Sequence, residues 1–164
     1  MPEPMNHDIF AVLTDLAIPF ERIHHPAVYT TEQARRLIPQ KNARAAKNLF
    51  LRDKKGKRHM LLAVEDHKNV LFKDIEEQIG IKHLSLASPD RLQRYLGVTP
   101  GGVSLLALIN DHQDRVEVFI DRALWSGERI QAHPLVNTET LILSIEDMAK
   151  FIEYTGHAIH FIDA

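Results

Sequence analysis

The stretch AAKNLFLRDKKGKRHMLLAVE, residues 45–65, constrains the fold of this chain more than any other. Two apolar runs flank a charged segment holding Gly56, which predicts a β-hairpin with strands over 45–52 and 58–65. Alternate residues of a strand share a face, so Ala45, Lys47, Leu49 and Leu51 point the same way. If Asp53 faces Lys57 across a three-residue loop, Leu49 faces Leu61 and Lys47 faces Ala63. A lysine in that company either snorkels to the sheet edge or is placed to meet a ligand.

The elements around the hairpin are both helical and extended. Residues 6–16 set Ile9, Leu13 and Leu16 on one helical face, and Pro19 ends the pattern. FERIHH (20–25) reads as a short strand, and Thr30 with Gln33 forms a capping box for a helix, TEQARRLI, that stops at Pro39. Helices are predicted over 71–80 and over 89–97, the second with Ser88 as N-cap and Pro89 in its first turn. GVTPGGVSLLALIND (97–111) reads as a glycine–proline loop running into an apolar strand. Further strands fall at 116–121, 128–133 and 140–144. Ser144 opens a helix with a core-facing stripe of Ile145, Met148, Ala149 and Ile152, closed by Gly156. AIHFID supplies a last strand. There is no internal repeat and no linker, so the expectation is one α+β domain over 1–164, a mixed sheet with helices packed around it.

A chain of 164 residues buries enough surface to fold without staples, and it has no cysteine. Disulfides, thiolate metal sites and cysteine nucleophiles are therefore excluded. The N-terminus carries acids rather than a basic leader, and no apolar run reaches membrane-spanning length, which predicts a cytoplasmic protein. The net charge of −2 does not announce a nucleic-acid binder, but the distribution of charge does. Ten of the twenty Lys and Arg residues lie between Arg35 and Arg58, with Asp53 the only acid among them. Such clustering is the footprint of a phosphate-binding surface, or of a hairpin tip kept soluble by lysines.

Familiar catalytic patterns are missing. No G-x-S-x-G elbow is present, and GVTPGG lacks the Gly-Lys-Ser/Thr of a phosphate-binding loop. The ten histidines, including His24, His25, His133, His157 and His160, fit no zinc-ligand spacing, and no metal or cofactor is expected. What remains is Lys47-Asn48 on a strand, the loop 97–102, and the turn HPLVN (133–137). Each has a plain alternative: the glycines serve a turn, His133 is a satisfied strand-end residue, and Asn137 is a cap.

Together, KNLFLRDKKGKRHMLLAV, GVTPGGVSLLALIND and HPLVNTETLIL resemble the YbaK/ProX family of aminoacyl-tRNA deacylases, the prolyl-tRNA-synthetase-associated domain. The resemblance spans about residues 20–162 with the motifs in family order, and is nearest to free-standing members that clear alanine from tRNA(Pro). It implies a curved mixed sheet and hydrolysis of the ester joining a wrong amino acid to the tRNA 3′ end. It implies that Lys47 is the essential lysine with Asn48 beside it, and that Gly97, Thr99 and Pro100 form the G-x-x-P loop. His133 and Asn137 match the histidine and asparagine of the HPLxN turn, which with that loop would bind substrate. Backbone N–H groups around Gly101 and Gly102 are the candidates for the oxyanion, and the substrate's own ribose hydroxyl would help to activate water. Where family members often read Ser-Pro-Phe, this chain has Ser104-Leu105-Leu106, a difference that bears on which amino acid a pocket would take.

The substrate's α-amino group is cationic near pH 7, so Lys47 suits a phosphate of the CCA end or the polarised ester carbonyl. Arg35, Arg36, Lys41 and Arg44 would hold the acceptor stem. The implied partner is mischarged tRNA(Pro), with prolyl-tRNA synthetase or an elongation factor as the open choices for a protein partner. The alternatives are a non-catalytic tRNA- or synthetase-binding module, a deacylase for cysteine or serine, a metal-assisted hydrolase through His133, and a Schiff-base enzyme built on Lys47.

Overall fold

A computed structural model describes residues 8–39 and 41–164. The first helix, α1 (Ile9–Asp15), starts on Asp8, whose side chain accepts from the N–H groups of Phe10 and Ala11. Positions 6 and 7 of the expected helix lie outside the described residues. Then follow β1 (Glu21–His24), α2 (Thr31–Leu37) capped by Thr30, and the hairpin β2 (Ala46–Arg52) and β3 (His59–Glu65). Next are α3 (Phe72–Ile79), the short β4 (Ser85–Leu86) and α4 (Pro89–Leu96). The chain ends with β5 (Val116–Asp121), α5 (Arg122–Trp125), β6 (Arg129–Ala132), β7 (Glu139–Ser144), α6 (Ile145–Tyr154) and β8 (Ile159–Ile162).

The fold class is the expected α+β, but the strands form two sheets rather than one. A five-stranded mixed sheet runs β4-β2-β3-β5-β8, and an antiparallel three-stranded sheet runs β1-β7-β6. One bridge stitches them, where Arg44 N–H donates to the Arg129 carbonyl at 2.9 Å and Gln131 N–H donates to the Arg44 carbonyl at 3.0 Å.

Two other expectations are corrected. The hairpin register is shifted by one, with Lys47 opposite Val64 and Leu49 opposite Leu62. The cause is Asp53, whose Oδ1 accepts from both Lys57 and Arg58 N–H groups, while its own N–H donates to the Arg58 carbonyl at 3.1 Å. That closure leaves a loop of Lys54–Lys57, with Gly56 at φ 68°. The second correction concerns 97–111, where no strand forms. Residues Pro100–Gly102 and Leu105–Asn110 are 3₁₀ turns, and every residue of the latter is buried. A short apolar run reads alike as a buried strand or a buried turn, and Ser104 decides it by accepting from Leu106 N–H at 3.0 Å.

The five-stranded sheet is covered on both faces. Phe50, Leu61, Ala63, Val118 and Ile120 join a large core with the 105–109 run and α6. Leu51, Met60, Leu62, Val64 and Phe119 face a smaller core that includes Ile75 of α3. By alternation, Lys47 belongs to the smaller-core face and Asn48 to the other.

Candidate active site

The first half of β2 is an uncovered sheet edge. β4 pairs only with Leu51 and Arg52, and Ala87 N–H donates to the Phe50 carbonyl at 2.9 Å. In an antiparallel strand the backbone groups of every second residue face one edge, so those of Ala46 and Asn48 face this open side. Two adjoining hollows lie here and share Thr31, Ala34, Ala46, Asn48 and His133 in their walls. One reaches inward to Gln131 and Thr140; the other opens past Tyr29, Lys47, Pro100 and Gly101.

Lys47, Asn48, Pro100, Gly101 and His133 are thus brought together from three distant stretches of sequence. Asn48 has a buried Oδ1 with no hydrogen-bond partner among the described residues, an arrangement that costs stability unless something fills it. His133 is held by an Nδ1 contact of 3.1 Å to the Glu139 carbonyl. Burial is the main reason its pKa lies below the usual value, so the ring is neutral at pH 7. In that state Nδ1–H donates to Glu139 and Nε2 carries the free lone pair, the tautomer being assigned from this contact. His25 stands edge-on to His133 at 6.3 Å between ring centroids, and its Nε2 lies 2.9 Å from Thr140 Oγ1. Lys47 is half-buried and donates its ammonium to the carbonyl of Lys68 on the smaller-core side.

The remaining predicted residues stand behind the hollows. Gly97 ends α4 at φ 66° and donates to the Gln93 carbonyl at 3.0 Å. Gly102 N–H donates to the Thr99 carbonyl at 2.9 Å, so its donor is spent within the turn rather than offered as an oxyanion contact. A β-carbon on Gly102 would sit 2.8 Å from the Leu135 carbonyl oxygen, so backbone packs directly on backbone there. Asn137 donates from Nδ2 to the Val28 carbonyl at 3.2 Å, and Ser104 Oγ donates to the His133 carbonyl at 2.7 Å. These bonds clamp the glycine loop, the HPLVN turn and residue 28 into one body. Leu105 and Leu106 are 2% and 0% exposed and line neither hollow, so the departure from Ser-Pro-Phe falls in the core.

Sequence reasoning missed Tyr29, Thr31, Ala34 and Thr140 as wall residues. The Thr30–Gln33 capping box locates α2, but nothing in it says which face meets β2. Nor did the sequence anticipate the partners of the proposed RNA-binding cations. Arg35 pairs with Asp66 at 2.9 Å, Arg36 with Glu32, Lys41 with Glu21 at 3.8 Å, and Arg44 with Glu65 at 3.0 Å.

Among the described residues one cluster has the donors for a metal ion, Asp111, Asp114 and His157, away from the hollows. Asp111 already accepts from Arg115 N–H at 3.0 Å and Val116 N–H at 2.8 Å, and lies 2.7 Å from His157 Nε2. That pattern makes it a loop staple. No helix among the described residues is long and apolar enough to cross a membrane.

The candidate site is thus a small-walled cleft in an α+β body, lined by a lysine–asparagine pair and a glycine loop. The model of the aminoacyl-tRNA editing domain matches residues 25–151, and the chain belongs to that family. It is an aminoacyl-tRNA deacylase. The chain is 36% identical to the prolyl-tRNA editing protein ProX of Acetoanaerobium sticklandii over 94% of each chain. It is 35% identical to prolyl-tRNA synthetase associated domain-containing protein 1 of Bos taurus, over 88% of this chain and 86% of the relative. A protein proposed as a trans-editing enzyme for prolyl-tRNA synthetase shares the fold at TM-score 0.64 and 17% identity, covering 88% of this chain and 87% of its own.

Proposed function

We propose that this protein hydrolyses mischarged tRNA(Pro) in trans, with alanine as the amino acid removed. The observation that carries this reading is the buried, unpartnered Oδ1 of Asn48 between the small walls of Ala34 and Ala46. A cationic α-amino group is the natural donor to that oxygen. The short walls leave room for a methyl side chain and make a proline ring clash. A prolyl synthetase cannot exclude alanine by size, because alanine is the smaller of the two, and each missing methylene lowers its binding by only about 1–3 kcal/mol. A second, smaller sieve supplies the difference. The kinship with a prolyl-tRNA editing protein supports tRNA(Pro) as the carrier.

An amino-acid ester is already activated, so no covalent nucleophile is needed. Water adds to the ester carbonyl, the carbonyl–ribose C–O bond breaks, and the ribose oxygen takes the proton that water gives up. The adjacent ribose hydroxyl orients the water, and Gly101 faces the developing oxyanion. Lys47 exchanges the Lys68 carbonyl for a phosphate of the CCA end or the ester carbonyl, and His133 Nε2 accepts from a ribose hydroxyl.

The test is hydrolysis of tRNA(Pro) charged with alanine, cysteine, serine or proline, by wild type and by Lys47→Ala. Selective loss of alanine that disappears in a folded Lys47→Ala protein is the expected result. Full activity in that variant would overturn the mechanism, and selective loss of cysteine or serine would reassign the sieve.

A further inference from the structure

We infer that the β2–β3 loop and the adjoining face of α4 form the surface that grips the phosphates of the acceptor arm. This rests on the reading of the protein as an enzyme acting on tRNA. The four cations nearest the cleft in sequence, Arg35, Arg36, Lys41 and Arg44, are each neutralised by a carboxylate. At the hairpin tip the balance is different. Lys54, Lys55 and Lys57 are exposed and none pairs with an acid among the described residues, while Arg52 and Arg91 lean over them.

The two guanidinium groups converge on Gly56. A β-carbon there would lie 2.7 Å from an Arg91 terminal nitrogen and 2.9 Å from an Arg52 terminal nitrogen. Neither has a carboxylate partner among the described residues. Arg52 donates to the carbonyls of Asp53 and Lys54, at 3.1 and 3.0 Å. Arg91 donates to the Gly56 carbonyl at 3.3 Å and meets His59 Nε2 at 3.0 Å. His59 is buried against Tyr95 and neutral at pH 7, so it removes none of the positive charge. Asp53 is the acid within the turn, and its Oδ1 is occupied by the N–H groups of Lys57 and Arg58. Asp90 stands in the first turn of α4 and is in none of the ion pairs among the described residues. Two guanidiniums and three ammoniums held together against so little negative charge repel one another until an anion arrives.

Position selects the anion. The tip is the far end of the same β2 edge whose near end carries Ala46 and Asn48. Five steps along the chain take Asn48 to Asp53, about 17 Å at the usual rise of a strand. β4 pairs along that edge between the two, beside Leu51 and Arg52. An RNA whose 3′ end enters the cleft therefore passes its next phosphates along β4 towards the loop.

The experiment compares wild type, a Lys54→Ser/Lys55→Ser/Lys57→Ser variant and the matching triple Lys→Arg variant. The substrates are alanyl-tRNA(Pro) and a short alanyl oligonucleotide ending in CCA. With full-length tRNA the serine variant should raise KM about tenfold with kcat unchanged, and reduce the slope of log affinity against log salt by about two to three. The arginine variant should restore both, and the short substrate should be hydrolysed equally by all three. An unchanged KM and salt slope would overturn the assignment, as would an equal loss on the short substrate. If wild type hydrolyses no charged tRNA, the proposed function has failed, and binding of uncharged tRNA(Pro) then decides the surface. Weaker, less salt-dependent binding by the serine variant supports it, and equal binding overturns it.

Discussion

The side chain of Asn137 occupies the space a β-carbon on Gly101 would need, with its Nδ2 2.8 Å from that position. This contact, with Gly102 against the Leu135 carbonyl, locks the glycine loop onto the HPLVN turn. Leu135 itself sits at φ 69°, a costly conformation for a leucine, so the turn has little freedom to retreat. Gly102→Ala therefore meets fixed backbone and should cost about 1–3 kcal/mol. Gly101→Ala meets a side chain, which can swing away at the loss of its bond to the Val28 carbonyl. Thermal denaturation should rank Gly102→Ala as the more damaging. In a double-mutant cycle, Gly101→Ala should cost little once Asn137→Ala is present. Equal and additive losses would show that the two motifs do not interlock.

Asn48 leads to a prediction in which stability and activity part company. Its buried Oδ1 lacks a partner, so Asn48→Ala removes a desolvated acceptor worth about 1–3 kcal/mol along with its packing. The melting temperature should hold or rise, while kcat/KM for the charged tRNA falls tenfold or more. Asn48→Asp should destabilise the fold, because it places a charge where no donor waits. A destabilised Asn48→Ala protein with full activity would make this asparagine a structural residue.

The hairpin, the caps at Thr30, Ser88 and Ser144, and the stripe on α6 were legible because each depends on neighbours within a few residues. The register was not, because it turns on whether Asp53 closes its loop onto Lys57 or Arg58, a choice of one residue with no sequence signature. The division into two sheets was equally hidden, since it rests on pairings between strands far apart in sequence, such as β1 with β7. In the site, Lys47, Asn48, Gly101 and His133 were legible through motif resemblance. The walls from α2 and Thr140 were not, since alanine and threonine carry no mark of the cavity they face. Charge density was legible along the chain, but its neutralisation was not, because Asp66 and Glu65 approach Arg35 and Arg44 only after folding.

His59 should give the protein an acid limb of its own. Burial first, and then Arg91 and Arg52, push its pKa down to about 4. Its folded value lies below its unfolded value near 6.5, so the unfolded chain binds the proton more readily. The stability it contributes is complete above pH 6.5 and is lost progressively as pH falls towards 4. His133, lowered chiefly by burial, adds in the same sense. His59→Phe keeps the stack on Tyr95 and Phe50 and removes the titration. Denaturant midpoints measured from pH 7 to 4.5 should fall less steeply for His59→Phe than for wild type. Parallel slopes would assign the acid sensitivity to other groups.

Arg44 separates a structural cation from an RNA-binding one. Its main chain carries the bridge between the two sheets, and its guanidinium donates to Glu65 Oε2 at 3.0 Å and to the Ala123 carbonyl at 3.1 Å. The stem of the side chain lies along Gly127, where any larger residue would collide with it. These contacts tie β3, α5 and the three-stranded sheet to a single residue. Arg44→Ala should lower stability by about 1–3 kcal/mol, the usual range for hydrogen bonds to a charged group. KM for charged tRNA and its salt dependence should stay close to wild type at a temperature where both proteins are folded. Gly127→Val, which expels the same guanidinium without removing its charge, should reproduce the stability loss. A stable Arg44→Ala protein with a tenfold higher KM would return this arginine to the acceptor stem.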